Sequence, residues 1–347
     1  MKAYKERHDW IDYLRFITMF YIYLGHFGGA AGKMYPFVFT FHVPLFFFIS
    51  GILVKSPRTN IEVIKCLKNS FKRIMLPYAV FSIIGIVFLT IKDGRDFTNI
   101  LQMFEMSVYG VRNNTPLATL WFFPCLFVVF AYYYVLNRII SNRIIVFILS
   151  LVIYTLSPVW FGQGIPKLFW NLDSAAYFLV FFSAGALLSK RLKNGLFSFE
   201  NNSKNAINII AISILILYAA ACYQKGTFTF YKSFPSLEFQ YFCFFFSAFL
   251  LFIPNIYLAK YIESKAKSFN LRPVLILGKN TLVLCGTEQI LKYSIIAAFG
   301  MFGIKAEPHN PLESLLFTAF CFLVAYFSTV KLYYFFSVKN KKQGKIL

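Results

Sequence analysis

Acidic residues are scarce in this 347-residue sequence: 14 Asp and Glu stand against 35 Lys and Arg, and charged residues make up only 14% of the chain. So little charge beside 45 Phe, 22 Tyr and 4 Trp cannot cover a water-facing globule, which excludes a soluble protein. Paired short cysteine spacings are missing too. The six cysteines, at 66, 125, 222, 243, 285 and 321, lie singly, five of them in apolar runs, and read as small core hydrophobes. No Cys/His cluster has tetrahedral spacing and no Walker or dinucleotide-type glycine pattern opens a helix, so neither a metal centre nor a nucleotide loop is expected. Internal repeats are absent, which weighs against a transporter built from two related halves. No charged or turn-rich stretch exceeds about 30 residues, so 1–347 is expected to be one transmembrane domain without an appended soluble domain.

What the chain does have is apolar length. Its mean hydropathy of +0.61 is spread over ten segments, near 13–30, 37–54, 75–91, 119–136, 144–160, 173–189, 206–223, 238–254, 273–291 and 312–336. Each is close to the roughly 20 residues that a helix needs to cross hydrocarbon. With the N-terminus inside, 23 of the 35 basic residues fall in the inner segments and nine in the outer ones, the asymmetry of the positive-inside rule. The expected fold is an all-α integral membrane bundle of about ten helices with both termini inside. The net charge of +21 then reports insertion, not nucleic-acid binding. A basic start, the apolar run Phe16 to Leu24 and the small residues Gly28 to Ala31 imitate a secretory signal, but Glu6, Asp9 and Asp12 in its basic region are foreign to one.

Polar residues at membrane depth are costly and so become candidate functional groups. Arg15 and His26 are eleven apart, three helical turns plus roughly 20°, so they share one face about 16 Å apart. Arg15 is expected near the inner mouth and His26 in the outer half. A snorkelling Arg15 paired with Asp12, and a core histidine, would explain them without function. His42, early in the next span and after a short loop, is also expected in the outer part, as are Trp121, Asp173 beside Asn171, and Glu288 beside Thr287. Histidine suits a base that accepts a hydroxyl proton near neutral pH, and a neighbouring carboxylate can fix its tautomer.

Specific strings add a resemblance. Arg7-His8-Asp9-Trp10-Ile11-Asp12-Tyr13-Leu14-Arg15, Leu24-Gly25-His26, Phe39-Thr40-Phe41-His42-Val43-Pro44 through Ile49-Ser50-Gly51, and Leu120-Trp121-Phe122-Phe123 resemble the membrane acyltransferase-3 family, in particular its fucose 4-O-acetylase-like branch. Asn171-Leu172-Asp173, Phe181-Phe182-Ser183-Ala184-Gly185 and Leu277-Gly278-Lys279-Asn280-Thr281-Leu282 follow in the order of the family's landmarks. The sequence departs from the family at two points. Thr287-Glu288 stands where many relatives carry His, and Arg73 has Asn69 four residues before it where some branches carry a second Arg.

The resemblance implies a multi-pass enzyme of the bacterial cytoplasmic membrane that moves an acyl group, commonly acetyl from acetyl-CoA, onto a hydroxyl of a cell-surface glycan or its lipid-linked precursor. It implies His26 as the essential histidine and His42 as the family's second. With the physical reading, His42, Glu288 and Asp173 are expected to orient the catalytic His26. Arg15, Lys68, Lys72 and Arg73 are expected to hold the CoA phosphates. Neither a metal nor a nucleic-acid partner is expected. O-succinyl transfer is the main variant within the family, and a polytopic glycan or lipid transporter the main rival outside it.

Overall fold

The structure, a computed structural model, describes residues 8–161, 168–196, 208, 211–212, 214–215, 236–266 and 269–330. Regular structure among them is helical. The first helix, α1 (Asp9–Gly25), opens with Asp9 and Asp12 in its first turn, where carboxylates offset the positive helix end. The expected span 37–54 is found as a candidate crossing over Met34–Ile52, made of two helical pieces. These are α2 (Met34–Phe39) and α3 (His42–Ile52), parted at Thr40-Phe41, where the Thr40 hydroxyl bonds the Pro36 carbonyl at 3.1 Å. Pro44 lies in the first turn of α3, where its missing N–H leaves no helical bond unmade.

The next helix, α4 (Asn60–Asp93), starts in a capping box in which Thr59 and Glu62 satisfy each other's backbone N–H groups. It stops at Gly94, whose φ of 63° favours glycine. Its 34 residues reach about 51 Å against roughly 30 Å of hydrocarbon, so only part of it is needed for a crossing. The expected span 75–91 is its second half. A helix stands where a loop was expected: α5 (Phe97–Tyr109), capped by Asp96 and ended by Gly110, is too short to cross. It doubles back along α4, with the Tyr78 hydroxyl donating to the Ser107 carbonyl at 2.5 Å. Phe97, Leu101, Phe104 and Val108 form an exposed apolar stripe on it, while Met103 and Ser107 are buried.

The chain continues through α6 (Phe122–Ile139), α7 (Arg143–Phe161), α8 (Leu172–Lys193), α9 (Leu237–Lys265), α10 (Arg272–Lys279), α11 (Thr281–Gly300) and α12 (Pro311–Ala325). The expected span 273–291 is thus broken at Asn280, whose side-chain amide bonds the Ile276 carbonyl at 2.8 Å. Beyond α12 the helix widens to a π turn over Tyr326–Val330. By length and composition, seven helices among the described residues can cross a membrane. The protein is therefore a helical multi-pass membrane protein. The expected span 206–223 lies outside the described residues, apart from scattered positions.

The helices group into two compact units. The first comprises Met1–Ile49, Ser189–Thr281 and Pro308–Leu347, and within it α1 packs against α9, α10 and α12. Gly278 allows the α1–α10 crossing, since a Cβ there would overlap the Asp12 carbonyl. Phe322 of α12 meets Phe16 and Tyr23 of α1 at ring distances of 5.2 and 4.6 Å. The second unit comprises Ser50–Leu188 and Leu282–Glu307. There α4 packs along α6, and Gly51 lies so close to the Phe182 carbonyl that any side chain would collide with it.

Candidate functional site

In the first unit, Arg15 and His26 belong to one continuous helical run. His26 closes α1, and its N–H still bonds the Ile22 carbonyl at 3.2 Å, so the geometry expected from eleven residues holds to the last turn. The His26 side chain is exposed at that helix end. Arg15 is about a quarter exposed (26%) and pairs with Asp12 at 3.2 Å. Asp12 is itself buried under the α10 crossing at Gly278.

His42 is buried, and its Nδ1 lies 2.5 Å from the Val38 carbonyl oxygen. A carbonyl only accepts, so Nδ1 carries the proton and Nε2 is the basic nitrogen of the neutral ring. The break between α2 and α3 creates this bond by setting His42 over the last turn of α2. Phe39 ties the two histidine segments together. Its ring is 4.7 Å from that of His42, edge to face, and a Cβ on Gly25 would meet it at 2.9 Å. Glycine next to His26 therefore lets one aromatic ring contact both the end of α1 and His42.

Glu288, Asp173, Lys68, Lys72 and Arg73 lie in the second unit. Glu288 is fully buried (0%) and pairs with Lys292 at 2.5 Å, one turn further along α11. Lys292, expected in an outer loop, is inside the helix and 9% exposed, because α11 runs on to Gly300. Burying two charges is costly, and each offsets the cost for the other. On either side of Glu288, α11 holds the segment before α6: the Gln289 side-chain oxygen accepts from Ala118 N at 2.6 Å, and the Thr119 hydroxyl donates to the Cys285 carbonyl at 2.9 Å.

Asp173 begins α8 beside Asn171, a buried hub that the sequence marked only as a neighbour. The Asn171 side chain accepts from Arg112 N at 2.6 Å and donates to the carbonyls of Gly110 at 2.6 Å and Trp121 at 3.2 Å. Trp170 and Asn171 both have left-handed backbone, at φ 50° and 57°, a strain that these bonds help to hold. The Arg112 guanidinium lies 4.7 Å from the Trp121 ring centroid. Nothing in the spacing of Arg112 pointed to it, since it was one cation among those of the outer loops.

Lys68 and Lys72 are exposed one turn apart in the first half of α4, and the guanidinium of exposed Arg73 is 5.5 Å from the Phe130 ring. Lys65, one turn earlier on α4, extends the stripe. Exposed cations at this spacing make one basic stripe along the first half of α4.

A bundle of membrane-crossing helices with a buried histidine and a buried Glu–Lys pair defines a multi-pass protein that keeps ionisable chemistry inside its spans. The acyltransferase-3 family model, described as an acyltransferase domain, matches residues 8–333, and the chain belongs to that family. It is an acyltransferase. No curated protein and no solved structure matches it significantly.

Proposed function

We propose that the protein transfers acetyl from acetyl-CoA to a hydroxyl of a cell-surface glycan or its lipid-linked precursor, across a bacterial cytoplasmic membrane with both termini inside. The observation that carries this reading is the family match over 8–333 together with Arg15 and His26 on one unbroken helix. Their separation of about 16 Å suits a donor whose phosphates and thioester lie at opposite ends of an extended arm. Arg15 holds the anionic end of CoA. His26 accepts the proton of the acceptor hydroxyl while its oxygen attacks the thioester carbonyl carbon. The C–S bond then breaks, and the imidazolium returns the proton to the leaving thiolate. His42 orients the reacting groups. The fixed tautomer of His42 gives it a basic Nε2 for this task.

His26→Ala is expected to abolish acyl transfer while leaving the protein inserted and abundant, since losing a general base typically costs about 10²–10⁴ in rate. His26→Gln keeps a hydrogen-bonding group but no base, and is expected to stay inactive. Glycan acylation near the wild-type level in the Gln variant, at matched membrane abundance, contradicts the catalytic role.

A further inference from the structure

We infer that Arg112, Trp121 and Asp173 form a subsite for adjacent hydroxyls of a neutral acceptor sugar, an inference that rests on the glycan reading above. Asp173 Oδ1 is buried and has no hydrogen-bond partner among the described residues. The Arg112 guanidinium rests on the Trp121 ring and makes no hydrogen bond to a described residue. Asn171 bonds Arg112 N and the Trp121 carbonyl, Asp173 follows Asn171 by two residues, and the Tyr132 hydroxyl donates to the Leu172 carbonyl between them. The two charges thus share one neighbourhood without joining as an ion pair.

That arrangement needs an explanation. Opposite charges attract strongly where water is thin, and a buried carboxylate oxygen without a donor is among the costlier defects a fold can carry. What keeps them apart is visible in the backbone. Asn171 clamps Arg112 N, Gly110 O and Trp121 O together, which fixes the loop that carries the guanidinium. Two residues later the same segment sets Asp173 in the first turn of α8. The gap is therefore fixed by the fold.

The chemistry of the two groups selects the ligand. A carboxylate only accepts hydrogen bonds and a guanidinium only donates them, so a molecule that spans both must offer a donor and an acceptor side by side. Vicinal hydroxyls do this. The buried Trp121 ring carries the guanidinium, and half-buried Tyr132, beside the start of α8, suits the apolar C–H face of a pyranose. One negative and one positive group leave the subsite nearly neutral, so an uncharged sugar fits better than a sugar acid or a phosphate. Here Asp173 acts as a binding residue for the acceptor, in contact with substrate.

The test uses the full chain in lipid nanodiscs. Methyl glycosides of fucose, rhamnose, glucose and N-acetylglucosamine, with methyl glucuronide as the anionic control, are titrated while saturation-transfer NMR reads binding. Transfer of labelled acetyl from acetyl-CoA to glycan is measured separately in membranes. The expected result is that at least one neutral glycoside binds in preference to the glucuronide, and that its affinity falls at least tenfold in both Asp173→Asn and Arg112→Gln. Asp173→Asn is nearly isosteric, and Arg112→Lys is a second, milder variant should Arg112→Gln fail to fold. Equal affinity in the variants, or no glycoside binding by a chain that does acetylate glycan, overturns the subsite and leaves the acyltransferase reading standing. Asp173-dependent binding by a chain that transfers no acetyl to glycan supports the subsite and removes the transfer reading. Neither binding nor transfer overturns both.

Discussion

Arg15 shows how one side chain can be legible in sequence yet incompletely described by it. Its spacing from His26 is a matter of helical arithmetic, and α1 realises it. Its partner Asp12, at 3.2 Å, was the ordinary explanation for an arginine near a membrane boundary, and the pair is present. The two readings are compatible, because a guanidinium has five donors and can serve a carboxylate and a phosphate together. Arg15→Ala is therefore expected to raise the KM for acetyl-CoA more than that for the glycan acceptor. Steady-state kinetics of the reconstituted protein checks this, and a change confined to the acceptor's constant would remove Arg15 from the donor side. Glu288 makes the complementary point. Its burial could be anticipated from its place in an apolar run, whereas its pairing with Lys292 could not, because the length of α11 decides whether Lys292 is in a loop or on the same helix.

Helix boundaries account for most of what the sequence left open. Long apolar runs such as α6 and α8 are visible because every exposed face can meet lipid, so hydropathy alone marks them. The short helix α5 is not visible in that way: its 13 residues fall below span length, and it is stabilised by lying along α4. The breaks at Thr40-Phe41 and Asn280 are likewise set by side-chain bonds to the backbone, which hydropathy does not register. The Asn171 hub depends on residues about 50 to 60 positions apart in sequence, so no local pattern encodes it. Close crossings are the most testable of these features. Gly278→Ala places a methyl group against the Asp12 carbonyl and forces α1 and α10 apart. Overpacking of this kind costs about 1–3 kcal/mol. The expected outcome is a lower unfolding temperature in detergent together with weaker use of acetyl-CoA, because Asp12 carries Arg15 with it. Unchanged unfolding and kinetics would show that the crossing tolerates a side chain.

Taken as a whole molecule, the chain is a multi-pass acyltransferase whose basic residues predict a direction across the membrane. The 55–74 segment, which holds Lys55, Arg58, Lys65, Lys68, Lys72 and Arg73, is expected in the cytoplasm with both termini. Cysteines introduced there should resist an impermeant thiol reagent in intact cells and react after lysis, and labelling in intact cells would invert the topology. Donor and acceptor chemistry would then lie on opposite sides, CoA at the basic inner face and glycan at the outer. The most direct measurement is mass spectrometry of surface glycans and their lipid-linked precursors from matched cells with and without the gene. Transfer of acetyl to glycan predicts a species heavier by one acetyl group, removed by mild alkali, that disappears when the gene is deleted and does not return with the His26→Gln variant. Identical glycan masses in the two strains, with the protein present in the membrane of one, would contradict the account.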